Sequence, residues 1–474
     1  MKAVRQFEVS SDRRAQCTRR SRRSVRSFPV SAILAGLAMS LQLAGQLLAQ
    51  ETNQVASTPS TAAPLTITLQ DALTRARVNE PQYRSALTQY GVARENRVQS
   101  RAALLPNVNY NAEFLYTQGN GTAPGRFIGA NGVHEYVSEG NAHQALSLQD
   151  VAEYRLARAL EALAKAKSEI ATRGLVVTVV QAYYGSVVAQ RKYSTAQRAA
   201  AEAQHFFDIT QKLERGGEVA HADTIKAQLQ QQQQQRALQD AELEMERSRL
   251  ELAVLIFPNF NENFTTVDDL ENIGPLPSFQ EVETQAGNNN PQLRVALASL
   301  KAANQEVAVA WNSFLPSLTL DYFYGIDAKH FAVNGFDTAS QANVRNLGYA
   351  ATATLQFPIW NWGAGRSKVK SAGLERDQAK VELSFAQRKM AADLKTLYGE
   401  SQTARSELES LRLSADLAAE SLRLTTLRYQ AGEASVLEVV DAQNTLTLAQ
   451  NALGDGQVRF RVAVANLQTL TGNF

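Results

Sequence analysis

Five histidines, His134, His143, His205, His221 and His330, are the residues of this chain best suited to hold a metal or move a proton. A zinc or general-base site needs such groups in company, for example at i and i+4 on one helix face. No two of the five have that spacing, so they predict no metal centre. Acyl transfer needs a presented nucleophile, yet there is no GxSxG turn, and the single cysteine, Cys17, lies ahead of an apolar N-terminal run. Phosphate chemistry needs a glycine-rich loop that opens a helix. The glycines from Gly119 to Gly132 sit between two stretches of alternating polarity and precede no such helix, so they read as a surface loop. No catalytic residue and no cofactor is predicted.

The rest of the chain carries architecture. Its first 49 residues hold nine basic residues against Glu8 and Asp12, then the apolar run Val30 to Ala49. Gly36, Ser40, Gln42, Gly45 and Gln46 dilute that run, which favours a secretory signal peptide over a spanning helix. The prediction is a signal over 1–49, cleaved near Ala49, and a flexible lead-in over 50–64. Arg22-Arg23 lacks the apolar pair that a twin-arginine signal requires. The full chain has 48 basic and 46 acidic residues; without the signal's nine and two it has 39 and 44, a net charge near −5. The basic balance therefore belongs to targeting and predicts no nucleic-acid partner. Cys17 leaves with the signal, and with it any thiol, disulfide or cysteine lipid anchor. No later stretch is long and apolar enough for a membrane helix, so membrane entry would have to be by β-strands.

After the lead-in the chain repeats itself. Asn79-Glu80-Pro81-Gln82 recurs as Asn289-Asn290-Pro291-Gln292, and Leu105-Pro106 as Leu315-Pro316, both 210 positions on. Further along, Tyr183 matches Tyr398 and Gly217-Glu218 matches Gly432-Glu433, now at 215. Two copies are predicted, 65–273 and 274–474. Each begins with a helix-patterned segment (Leu69 to Ala103; Phe279 to Asn312) that ends before a proline. Alternation follows at once: Val108, Tyr110, Ala112, Phe114 and Tyr116 interleave with Asn107, Asn109, Asn111 and Glu113. Strands are predicted at about 106–117, 136–149, 316–326 and 346–358. Their length suits a tilted bilayer crossing, and aromatics gather toward their ends. Four strands cannot close a barrel, so a membrane sheet of this kind must be completed by other copies. A half-buried sheet in a soluble domain is the competing reading.

Long helices fill the remainder. Val151 to about Lys212 and Arg366 to about Arg428 contain no proline and are rich in Ala, Leu, Glu, Gln, Arg and Lys. Rods of ~60 residues reach ~90 Å. Each breaks at a glycine turn, Gly217 or Gly432, and a second helix returns, Ala222 to Ile256 or Val436 to Leu470. Their apolar positions form narrow seams suited to coiled-coil packing. The run Gln230 to Gln235 reads as a solvated helical surface.

This order of parts resembles the outer-membrane efflux proteins, the TolC family. The resemblance spans about Leu69 to Leu470 and is most specific in RYQAGEASVLEVVDAQNTL, Arg428 to Leu446. LLPNVNY (Leu104 to Tyr110), FLPSLTL (Phe314 to Leu320) and LQFPIWNWGAGR (Leu355 to Arg366) support it. It implies a mainly α fold with a membrane β-barrel: a homotrimer with a 12-stranded β-barrel and a hollow trimeric α-barrel. The location implied is the outer membrane, with a large periplasmic portion; the partners are outer-membrane lipid, a periplasmic adaptor (membrane fusion) protein and an inner-membrane pump. The function implied is a passive export duct of a tripartite efflux or type I secretion system. Matched from the hairpin glycine, the family's acidic mouth falls on Glu438 and Asp441. A family link that holds the mouth shut would join Tyr429 to Asp223. A second link uses an arginine where this chain has Ala434, so that ion pair is missing. A periplasmic coiled-coil adaptor or scaffold is the alternative from a different class.

Overall fold

A computed structural model of the chain describes residues 64–116, 134–272, 274–337 and 341–472. The signal peptide, the lead-in up to residue 63 and the Gly119–Gly132 loop lie outside the described residues. One element order occurs twice. The first copy runs β1 (Leu65–Ile67), α1 (Leu69–Asn79), α2 (Pro81–Ala102), β2 (Asn107–Tyr116), β3 (His134–Ser147), α3 (Leu148–Arg215) and α4 (His221–Ile256). After β4 (Phe264–Thr266) come α5 (Phe279–Asn289), α6 (Pro291–Asn312), β5 (Ser317–Ala328), a small hairpin β6 (Asn334–Asp337) and β7 (Ala342–Arg345), β8 (Leu347–Gln356), α7 (Ala364–Gln430) and α8 (Val436–Thr471). Corresponding helices have 11 and 11, 22 and 22, 68 and 67, and 36 and 36 residues. The rods α3 and α7 are therefore ~100 Å long. Along α3 pack α2 and α6 toward one end and the returning α4 and α8 toward the other. None of the described helices has an apolar span long enough to cross a membrane.

The first helical segment of each copy is two helices and not one. Proline disfavours helical geometry in the residue before it, and Glu80 (φ −76°, ψ 120°) and Asn290 (φ −59°, ψ 122°) are accordingly extended. Pro81 and Pro291 then take the first helical position, where a missing N–H costs nothing. The Asn290 side chain accepts the Leu293 N–H at 2.8 Å. The Asn79 side chain donates to the last carbonyl of α4, Ile256 O, at 2.8 Å, and that of Asn290 donates to Leu470 O at 3.3 Å. The repeated Asn-x-Pro segment thus ends one helix and starts the next, and an asparagine of it, the first position in one copy and the middle one in the other, satisfies an orphan carbonyl of a third.

The strands form one antiparallel sheet in the order β2-β3-β5-β8, with β2 and β8 as free edges. Their ends differ from the predicted ones by up to two residues. Ser147 shows why: its hydroxyl accepts the Asp150 N–H at 3.0 Å, so the chain becomes helix α3 where alternation alone would extend β3. The β6–β7 hairpin and the short parallel pair β1–β4 have too few residues to show a period and were not predicted.

Around β1–β4 lies the largest apolar cluster, which includes Ile67, Val179, Tyr183, Leu252, Ile256 and Phe264. The Tyr183 hydroxyl donates to Ile67 O at 3.1 Å and Val267 O at 2.8 Å, tying both short strands to α3. Burial and the nearby Asp269 push its pKa up to about 12. Its repeat counterpart Tyr398 donates to Pro277 O at 3.3 Å and meets Phe279 edge-on at 5.2 Å. Arg461 lies over the Tyr184 ring at 5.3 Å and donates to Asp269 O and Asn272 O at 2.5 and 2.8 Å.

One helical prediction is corrected. The glutamine run is not all solvated: Gln230 and Gln234 are 4% and 7% exposed. Both side chains donate to Asn444 Oδ1, at 2.9 and 3.1 Å. They lie one turn apart on the α4 stripe that meets α8, so the pair staples the two helices through one buried acceptor.

Candidate functional site

Two regions carry the residues singled out from the sequence: the glycine-ended hairpins and the two faces of the sheet. At the hairpins, Gly217 and Gly432 have φ of +79° and +78°, the left-handed conformation that suits glycine. The Glu218 N–H reaches back to Leu213 O at 2.9 Å and the Glu433 N–H to Arg428 O at 2.8 Å, so both turns close the same way. In this conformation the Tyr429 hydroxyl is 3.3 Å from the hydroxyl of Thr210, and its ring meets Phe206 edge-on at 5.0 Å. Asp223 pairs with Lys226 at 3.2 Å. Within this protomer Tyr429 is therefore fixed on α3 and Asp223 on its own helix.

Glu438 and Asp441 both sit on the exposed side of the α8 start. Glu438 also has a local task. Its carboxylate accepts the Ser435 N–H and hydroxyl, both at 3.0 Å, while Ser435 Oγ accepts the Glu438 N–H, a complete capping box. Those two hydrogen bonds hold the Glu438 carboxyl below its ordinary pKa, and Arg428 at 3.6 Å adds to the effect. The pair Arg428–Glu438 bridges the two arms of the hairpin where Ala434 supplies no charge. It was legible only as two separate charges, since α7 and α8 must fold back before they meet.

In the sheet, register decides which side chains share a face. Val108, Ala142, Tyr322 and Ala351 align across the four strands, as do Tyr110, Gly140, Tyr324 and Tyr349. The neighbouring row on the other face is Asn107, His143, Asp321 and Thr352, in which His143 and Asp321 approach to 2.6 Å. Leu320 belongs to the apolar face and Thr319 to the polar one. Tyr110 is 70% and Tyr349 76% exposed, so the apolar face is uncovered. Among the described residues no group of His, Cys, Asp and Glu side chains is placed to hold a metal ion.

The chain matches the model of the outer membrane efflux protein family twice, over residues 72–256 and 283–473. It is 24% identical over 408 residues to the alkaline protease secretion protein AprF of Pseudomonas aeruginosa, covering 83% of this chain and 82% of that one. Over 414 residues it is 22% identical to the outer membrane protein TolC of Escherichia coli K12, covering 84% and 80%. Among solved structures, the Campylobacter jejuni CmeC outer membrane channel superposes with a TM-score of 0.72 at 18% identity, covering 85% of each chain. The open state of the Neisseria gonorrhoeae MtrE outer membrane channel gives 0.70 at 21% identity, covering 85% and 89%.

Proposed function

The chain belongs to the outer membrane efflux protein family, and on that premise we propose that it is the outer-membrane channel of a tripartite efflux or type I secretion system. It is a passive duct and not an enzyme; the periplasmic adaptor alternative gives way to family membership. The observation that carries the mechanism is the open sheet. Edges β2 and β8 leave backbone N–H and C=O groups unpaired, and each such group in hydrocarbon costs several kcal/mol, about as much as a lost hydrogen bond or more. Pairing β8 of one copy with β2 of the next removes every edge, and three copies of four strands give a 12-stranded barrel. The Val108–Ala351 and Tyr110–Tyr349 rows then face lipid, and the Asn107–Thr352 row lines the pore.

The ~100 Å rods continue the duct into the periplasm, with the copies 65–273 and 274–474 as equivalent staves. Their glycine-ended hairpins, Gly217 and Gly432, form the periplasmic mouth, where an adaptor and an inner-membrane pump engage. Glu438 and Asp441 are the charged rim of that mouth; Tyr429 and Asp223 belong to its closing elements. The resting contacts Tyr429–Thr210 and Arg428–Glu438 stiffen each hairpin pair within a protomer. Relatives are named for protease secretion and, in the case of CzcC of Cupriavidus metallidurans, for cobalt-zinc-cadmium resistance. The pore wall carries amides, hydroxyls and carboxylates, Glu113, Glu139 and Asp321 among them, and selection is left to the pump. Native mass spectrometry of the purified full chain should give three copies, and planar bilayers should show discrete conductance steps. A stable monomer in bilayers overturns the reading.

A further inference from the structure

The two copies differ where sheet meets rod. In the first, β3 runs straight into α3, which starts with the Ser147 cap and Asp150 in its first turn. In the second, residues 357–363 intervene before α7. Apart from Asn361, the side chains of this segment are apolar and uncovered: Ile359 and Trp362 are each 90% exposed, and Trp360 is 76% exposed. Trp362 also has φ +53°, an unfavourable conformation for a bulky residue. Trp311, at the end of α6, adds a third exposed indole.

Beyond the indoles the surface turns cationic. Arg366, Lys368 and Lys370 are all exposed, and none has an ion-pair partner among the described residues. No Asp or Glu occurs from Thr338 to Leu374. Positive charge in the first turns of a helix opposes its dipole, so these residues do not serve the stability of α7. Arg366 and Lys370 are one turn apart and, with Trp311 and Phe314, line an open depression of about 790 Å³. Phe314 is held flush: a Cβ on Gly365 would come within 2.7 Å of its ring.

We propose that this junction binds an anionic phospholipid of the periplasm-facing leaflet, with Arg366 and Lys370 on the phosphate and the indoles at the boundary of headgroup and acyl chain. Indoles prefer that boundary, and basic side chains beside it attract anionic headgroups. The first copy, with Asp150 at the equivalent helix start, has no such surface. The inference rests on the channel reading, which places the sheet in the membrane and the rods in the periplasm.

The full chain in neutral detergent, mixed with equal phosphatidylglycerol and phosphatidylethanolamine, can be read by native mass spectrometry for lipid retained per assembly. Retention should favour phosphatidylglycerol by about 25-fold, from about fivefold for each of the two cations. R366Q/K370Q should bring the two lipids near parity, and the charge-keeping R366K/K370R should restore the preference. R388Q/K395Q, which removes equal charge farther along α7, should leave it unchanged. Equal retention by the unmodified chain, or an equal loss in R388Q/K395Q, overturns the proposal. Displacement of the lipid by millimolar glycerol 3-phosphate would show a small-anion site instead and overturn the lipid assignment. Bilayer conductance without lipid preference sinks this inference alone, whereas absence of both assembly and conductance sinks the channel reading.

Discussion

Replacing Tyr183 by Phe removes one oxygen and keeps the ring, so the edge-on contact with Tyr184 at 5.3 Å survives. Two carbonyls lose a donor, but unequally. Ile67 O still accepts the Val267 N–H at 3.1 Å, whereas Val267 O loses its 2.8 Å partner at a part-buried site. Leaving a fully buried acceptor unpaired costs about 1–3 kcal/mol, which is the upper range for this part-buried one. Local opening of the β1–β4 pair should then become about 5- to 150-fold more frequent, at about 1.4 kcal/mol per tenfold. Hydrogen–deuterium exchange of the Val267 and Leu65 amides reads this directly, since both are hydrogen-bonded in the pair. The duplication provides the control: Tyr398→Phe removes a single 3.3 Å bond at an exposed site and should leave those amides unchanged. The pH dependence follows from the raised pKa of Tyr183. Its neutral form is favoured when folded, so its contribution is complete below pH 10 and fades as pH rises toward about 12. Accelerated opening in that window should be weaker in Tyr183→Phe, where only the neighbouring Tyr184, also raised by burial, still titrates in the cluster. If both variants exchange like the unmodified chain, the hydroxyl does not anchor the strands.

Leu320→Arg should destabilise the inserted protein by about 2–4 kcal/mol if the residue lies near the bilayer midplane, while Thr319→Arg should be mild; equal tolerance in a bilayer folding assay would refute the assignment of faces. Because Glu438 caps α8, the rim is better tested with Glu438→Gln and Asp441→Asn together, since Gln can serve in a capping box. Single-channel recording should show reduced cation selectivity with assembly intact, and unchanged selectivity would make these acids ordinary surface residues. Gln234→Leu leaves Asn444 Oδ1 the bond from Gln230 and should cost about 1 kcal/mol, whereas changing both glutamines should cost more than twice that by stranding the acceptor. Strictly additive losses in thermal unfolding would argue against the staple.

Period and punctuation made much of this architecture legible. Strands of ten or more residues showed their alternation, proline and glycine marked the ends of the rods, and the absence of proline marked their spans. What stayed hidden lacked either length or locality. β1 and β4 have three residues each, too few for a period, and their pairing depends on Tyr183 from a distant helix. The helix breaks before Pro81 and Pro291 were in the sequence but competed with good helical pattern on both sides. Gln230 and Gln234 resemble their exposed neighbours in type; only the approach of α8 with Asn444 separates them. At the hairpins, resemblance supplied the candidates Tyr429, Asp223, Glu438 and Asp441. The closeness of Tyr429 to Thr210 and of Arg428 to Glu438 needed two arms folded together.

The matched lengths of the helices restrict how this chain can be altered. Seven residues added to α3 alone would carry its hairpin ~10 Å past that of α7. The added turns would find no partner on α4, and the shifted tip would leave its neighbour's level. Lengthening the duct therefore requires four coordinated insertions, in α3, α4, α7 and α8, each of whole heptads so that the seams stay in phase. Anyone grafting this protein to a pump at a different reach must edit all four rods together or none.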